Sequence, residues 1–208
     1  VGSVAQPMFA QIREDDDRQV RAFRKMLRFT SFISFPAMFG LSLVAPELIT
    51  IAITDKWIVS AHILQILAIN GAFIPVITLY TQLLISKGKS NVYMWNTIAI
   101  GIIQLLLLLI LYPYGIFAMV TIYATVNILW LFVWHYFVWK EIRIPLYMAL
   151  KDILPFACIS LFVMAITYVA TSSLQNIYLL ALSKIALAAF LYILIMLLSG
   201  SVTFKECL

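Results

Sequence analysis

Six apolar runs, each about the length needed to cross a membrane, leave this chain few folds to choose from. A crossing helix places about 20 apolar residues in the hydrocarbon. The stretches 26–53, 62–86, 92–111, 116–139, 153–174 and 177–198 meet that length. Laid out as alternate crossings, they sort the basic residues by side. Arg13, Arg18, Arg21, Arg24, Lys25 and Arg28 precede the first run. Lys87 and Lys89 follow the second. Lys140, Arg143 and Lys151 lie between the fourth and fifth, and Lys205 follows the sixth. Those are twelve of the fourteen; Lys56 stands alone in a link on the other side, and Lys184 lies inside the last run. Lys and Arg near span ends stay on the cytoplasmic face. The expected topology is therefore six crossings with both ends cytoplasmic.

Composition excludes a soluble fold. The chain is 64% hydrophobic and 11% charged, with a mean hydropathy of +1.03. A soluble domain carries about a quarter charged residues. A pI near 9.3 would suggest nucleic acid, but topology accounts for the basic excess. No nucleic-acid partner is expected. Cys158 lies in an apolar run and Cys207 is next to the last residue, so both read as inert thiols. The chain opens on Val1 with no charged n-region or cleavage site. It reads as the C-terminal part of a longer protein, starting inside or just after an earlier span. The expected fold class is all-α: a polytopic membrane helix bundle of six transmembrane helices.

Catalysis is not expected. The external links, 54–61, 112–115 and 173–176, are too short for a catalytic domain. No nucleophile is paired with a base, no span holds two facing carboxylates, and no phosphate loop is present. His135 and His62 are far apart, so no metal site or cofactor is assigned. Glu47 and Asp152 lie close to span ends, where water is expected to reach them.

The spans are interrupted by Pro36, Pro46, Pro75 and Pro155, and by Gly40, Gly71 and Gly101. In lipid such breaks persist where neighbours re-satisfy the freed carbonyls. They suit a bundle that moves, although Gly and Pro are also commoner in membrane helices generally. Ser31, Ser34, Met38 and Ser42 share one small, polar face that can line a cavity or bring two helices close. Asn70, Gln82, Asn96, Gln104 and Asn127 bond across helices or line a cavity. Lys184 is set apart by charge. It lies seven residues into the last run, roughly 10 Å from the run's start at 1.5 Å per residue. A charge there must face protein, water or an anion, or else snorkel. Trp130, Phe132, Trp134, Tyr136, Phe137 and Trp139 crowd one end of the fourth span as an interfacial belt.

Before the first span, Glu14, Asp15, Asp16 and Asp17 form an acidic start, favourable at a helix N-terminus. Arg18, Arg21, Lys25 and Arg28 then recur on one helical face, with Val20, Phe23 and Leu27 on another. This is an amphipathic helix running into the membrane. Its basic face either anchors topology or meets anionic head groups and lipid-linked phosphates.

These features come together in a recognisable order. Gln6-Pro7-Met8-Phe9-Ala10-Gln11-Ile12, the acidic cluster and the basic helix are followed by Phe35-Pro36, Gly40-Leu41 and Ala45-Pro46-Glu47-Leu48-Ile49. Then come Asp55-Lys56-Trp57, Ile63-Leu64-Gln65-Ile66-Leu67-Ala68 and Leu83-Leu84-Ile85-Ser86-Lys87-Gly88-Lys89. This order resembles bacterial polysaccharide flippases of the multidrug/oligosaccharidyl-lipid/polysaccharide exporter superfamily. The nearest type is the O-antigen and exopolysaccharide one, including colanic-acid flippases. The motifs cover about the first ninety residues; the last four spans agree in pattern alone.

The resemblance implies most of the C-terminal half of a 12–14-span transporter. Residues 1–25 would be a cytoplasmic loop and amphipathic helix, and 26–139 four spans of the C-terminal lobe. Residues 140–152 would be a cytoplasmic loop, 153–198 an added pair of spans and 199–208 a tail. The implied activity flips an undecaprenyl-diphosphate-linked oligosaccharide from the cytoplasmic to the periplasmic leaflet of the inner membrane. Partners would be membrane lipids, that carrier-linked oligosaccharide and polysaccharide polymerase machinery. Lys184, Asn70, Gln82, Gln104 and Asn127 are the candidate substrate contacts. The rivals are a drug/cation antiporter of the same superfamily, which needs acidic residues deep in its lobes, and a membrane glycan polymerase or ligase, which needs a large external loop.

Overall fold

The structure, a computed structural model, describes residues 2–12 and 15–198, with side chains from Pro7 onward. Arg13, Glu14, Lys205, Cys207 and the tail 199–208 lie outside the described residues, as does the Gln6 side chain. Among the described residues seven α-helices follow in order: α1 (Gly2–Gln11), α2 (Asp16–Ala52), α3 (Ile58–Ser86), α4 (Ser90–Leu111), α5 (Ile116–Ile142), α6 (Leu146–Thr171) and α7 (Ile177–Leu198). Six of them are long and apolar enough to cross a membrane. The chain is a multi-pass membrane protein.

Helix ends follow local chemistry. Asp15 caps α2: its Oδ1 accepts the Arg18 backbone N–H at 2.8 Å, satisfying a donor the first turn leaves open. Asp16 and Asp17 then sit where the helix dipole favours negative charge. The amphipathic helix and the first span are thus one continuous 37-residue helix. Residues Gly2–Gln11, expected as loop, are helical instead. At the far end of α3, Gly88 has φ +78. Its N–H reaches Ile85 O at 2.9 Å and the Lys89 N–H reaches Leu84 O at 2.9 Å. That paired arrangement closes a helix on a left-handed glycine. The link expected over 140–152 shrinks to three residues. α5 runs on to Ile142, where left-handed Arg143 (φ +54) donates its N–H to Trp139 O at 2.8 Å, and α6 starts directly after Pro145.

The chain forms two units, each assembled from segments distant in sequence. The first gathers the chain up to Ser31 with Phe73–Ile153; the second gathers Phe32–Ala72 with the chain from Leu154 onward. In the first, Phe9, Phe23 and Tyr80 are buried in a line of ring contacts with centroids 6.1 and 5.0 Å apart. Gln19 in the same core donates Nε2 to Phe9 O at 3.2 Å. The buried line on α2 is therefore Gln19, Phe23 and Leu27, with Val20 turned partly out. Helices α4 and α5, joined by the tight 3-10 turn Tyr112–Tyr114, pack antiparallel and stack Tyr93 on Trp134.

In the second unit the prolines explain much of the packing. A proline in a helix cannot bond the carbonyl four residues earlier. Pro36 frees Phe32 O, which accepts the Tyr192 hydroxyl of α7 at 2.8 Å. Pro46 frees Ser42 O, which accepts Gln65 Nε2 of α3 at 3.1 Å. The Ser42 hydroxyl answers Gln65 O at 3.2 Å, and Ser34 Oγ reaches Ala72 O at 2.6 Å. Met38 lies beside Gly71, its sulfur 3.4 Å from where a Cβ would stand. Along this unit the small, polar face of α2 is thus a seam against α3, as expected where small residues allow close approach.

Candidate functional site

The cavity that stands out in the second unit is a space of about 500 Å³ walled by α2, α6 and α7. Gly40, Val44, Met164, Ala188 and Tyr192 contribute to its lining, and Lys184 is its one charged lining residue. Pro36 and Gly40 keep the α2 wall slim, and the Gly40 Cα faces the Met164 methyl. A few convergent polar groups in an otherwise apolar concavity are the usual marks of a binding site.

Lys184 does not snorkel. It is 5% exposed and its Nζ donates to Glu47 Oε1 at 2.5 Å. Nζ also lies 3.4 Å from Leu43 O and 5.6 Å from the centre of the Tyr168 ring. Glu47 is 7% exposed, so the water access expected for it is absent. Depth explains the pairing. Lys184 is seven residues from the start of α7, and Glu47 is five from the end of α2. At 1.5 Å per residue both lie roughly 8–10 Å inside their helices. A charge at such depth is costly alone, and the pair cancels it. The second carboxylate oxygen, Glu47 Oε2, is buried without a hydrogen-bond partner.

Asp152 is buried as well, at 3% exposure, again against expectation. In the first unit it accepts Arg24 Nε at 2.7 Å and a second guanidinium nitrogen at 3.1 Å, with Arg28 Nε at 3.9 Å. The basic face therefore divides. Arg24 holds the carboxylate and Arg28 lies near it, while Arg18, Arg21 and Lys25 are exposed. Lys87 with Asp16, at 2.6 Å, and Lys89 with Glu141, at 3.1 Å, add two further ion pairs to this unit.

The four candidate amides divide between the units, Asn70 in the second and Gln82, Gln104 and Asn127 in the first. Asn70 is buried on α3 with its Oδ1 unpartnered; half-buried Gln82 on α3 and Gln104 on α4 each leave one amide atom unpartnered. Asn127 bonds back to Tyr123 O of its own helix at 3.1 Å. None of them lines the cavity. From the sequence Glu47 is expected in reach of water, and Gln65, Tyr168 and Tyr192 carry no signal of a role. Pro36 and Pro46 withhold the helical donor from Phe32 O and Ser42 O, but nothing local names Tyr192 or Gln65 as the side chains that reach them.

Residues 1–62 match the model of a family described as polysaccharide biosynthesis protein. An uncharacterized membrane protein in the cps region of Klebsiella pneumoniae is 34% identical over 83 residues, 40% of this chain and 17% of that protein. The teichuronic acid biosynthesis protein TuaB of Bacillus subtilis is 27% identical over 133 residues, 64% of this chain and 26% of that protein. The lipopolysaccharide biosynthesis protein WzxC of Escherichia coli is 29% identical over 86 residues, covering 41% of this chain and 18% of that protein. The chain thus spans about a quarter or less of the curated relatives it matches. Among solved structures, the lipid II flippase MurJ in an inward closed conformation superposes over the whole chain. The TM-score is 0.76 at 17% identity, and 43% of that protein is covered. The opening residues of this chain are thus similar to those of the polysaccharide biosynthesis family, and its helices share the fold of part of the MurJ structure.

Proposed function

We propose that this chain forms part of a flippase for surface polysaccharide synthesis, moving an undecaprenyl-diphosphate-linked oligosaccharide from the cytoplasmic to the periplasmic leaflet of a bacterial inner membrane. The observation that carries the reading is the apolar cavity with a single charge-neutralised lysine on its wall. Moving a sugar and a diphosphate through hydrocarbon requires that unpaired charge never face lipid. An apolar wall suits the carrier's tail, and a cation on that wall suits its anionic link. No bond is made or broken, so the protein acts as a transporter and not as an enzyme. In this reading Lys184 serves the polar cargo at the cavity, and Asn70, Gln82, Gln104 and Asn127 serve it outside the cavity. Arg18, Arg21, Lys25 and Arg28 face anionic head groups on the cytoplasmic side, where both ends of the chain lie. Polysaccharide polymerase machinery would receive the product. An antiporter would need deep acids available to cations, and Glu47, the buried acid among the described residues of the second unit, is paired with Lys184.

The test is export by the full-length gene in a strain lacking a surface-glycan flippase, with lipid-linked repeat units measured on each leaflet. Restored glycan without new polymerising activity supports the reading. A well-inserted protein that restores none of several glycans removes it.

A further inference from the structure

We propose that Lys184 and Glu47 form an exchangeable anion site: the phosphate of a long-chain lipid phosphate enters the α2–α6–α7 cavity, takes over Lys184 Nζ and displaces Glu47. This deepens the transport reading and rests on it only for the choice of a lipid as the phosphate's carrier.

Four observations carry the proposal. Lys184 lines the cavity while Glu47 does not, so an entering ligand meets the cation with the carboxylate behind it. The rest of the lining is apolar apart from Tyr192, whose hydroxyl is committed to Phe32 O. The pair is over nine-tenths buried, and Glu47 Oε2 has no partner, so the carboxylate is incompletely satisfied where it stands. Finally, the Tyr168 ring lies 5.6 Å from Nζ, a second support that remains when the carboxylate leaves.

Stability alone does not account for such a pair. Buried ion pairs replaced by well-packed apolar residues commonly leave a protein as stable or more so. A cation already desolvated in an apolar wall, by contrast, binds a phosphate oxygen more strongly than one in water. Its apolar surroundings select for a phosphate that brings its own hydrocarbon. Once Lys184 has turned to the phosphate, an unpaired Glu47 carboxylate would be costly among these neighbours, Lys184 from α7 and Tyr168 from α6. Replacing that carboxylate by an uncharged side chain should therefore assist binding.

The full-length protein is reconstituted in uncharged phosphatidylcholine nanodiscs and titrated with farnesyl phosphate, farnesol or inorganic phosphate. Farnesyl phosphate is expected to bind about tenfold or more tightly than either control. The double variant Lys184→Met/Glu47→Leu, which leaves no buried charge and should stay folded, is expected to lose about tenfold or more in farnesyl phosphate affinity. Glu47→Gln is expected to tighten binding several-fold, because it removes the competing carboxylate. A purely structural ion pair predicts the opposite sign for Glu47→Gln, and that result overturns the proposal. So does a double variant that binds like the wild type. Equal binding of inorganic phosphate overturns the assignment to a lipid. Intact binding with the expected variant pattern, in a protein that exports no glycan, upholds the site while the transport reading falls.

Discussion

Asp152 and Glu47 are both carboxylates with less than a tenth of their surface exposed, yet their units satisfy them differently. Asp152 takes two bonds from Arg24, and the Arg24 side chain keeps 31% of its surface open. Arg28 stands 3.9 Å away in reserve. Glu47 has one lysine, itself buried, and one oxygen left over. The first arrangement is redundant and reaches solvent, so it tolerates loss and screening. The second has no reserve and faces a cavity. A planar guanidinium clamps a carboxylate, whereas a lysine's compact charge can leave one.

The largest break in that comparison comes from Lys184→Met, which strands Glu47. Thermal unfolding in detergent should show a loss of about 3–5 kcal/mol. Adding Glu47→Leu should recover most of it; a double variant as unstable as the single one would mean the pair is needed for packing. Arg24→Met should cost less, about 1–2 kcal/mol, because Arg28 remains near Asp152 and the site is partly exposed. Raising salt should weaken the wild-type Arg24 contribution while leaving the Lys184 effect unchanged. Equal salt dependence of the two variants would erase the distinction between them.

Smaller effects sharpen the proline argument. Tyr192→Phe should cost about 1 kcal/mol by removing the interhelical hydrogen bond to Phe32 O. The same change in a Pro36→Ala background should cost less, since the backbone N–H then reaches that carbonyl. Additive losses in a double-mutant cycle would refute the coupling. The smallest expected effect is on the exposed face of α4, where Leu109 is 65% exposed. Leu109→Ala should change stability by no more than about 0.5 kcal/mol. Leu79→Ala, fully buried, should cost about 2–5 kcal/mol.

The six spans were legible because crossing length is a local property, summed over about 20 neighbours. Boundaries were less so. Residues 140–142 and 146–152 are polar enough to read as loop, yet they continue helices, because ion pairs and packing, not hydropathy, hold them. The basic face of α2 was visible as a periodicity, but its split between Arg24 and Arg28 on Asp152 and the exposed Arg18 and Arg21 was not, since Asp152 lies 128 residues away from Arg24.

By itself the sequence determined that this chain crosses a membrane six times, that Lys184 must face protein, water or an anion or else snorkel, and that Pro36 and Pro46 interrupt the helical bonding of the turns before them. Those demands arise within one helix and can be read from it. Which groups answer them was decided only by the tertiary structure. Glu47 lies 137 residues before Lys184, and Tyr192 lies 160 beyond Phe32. Spacing along the chain carries no information about partners on separate helices. Only the packing of α2 against α3 and α7 brings these groups to the same depth.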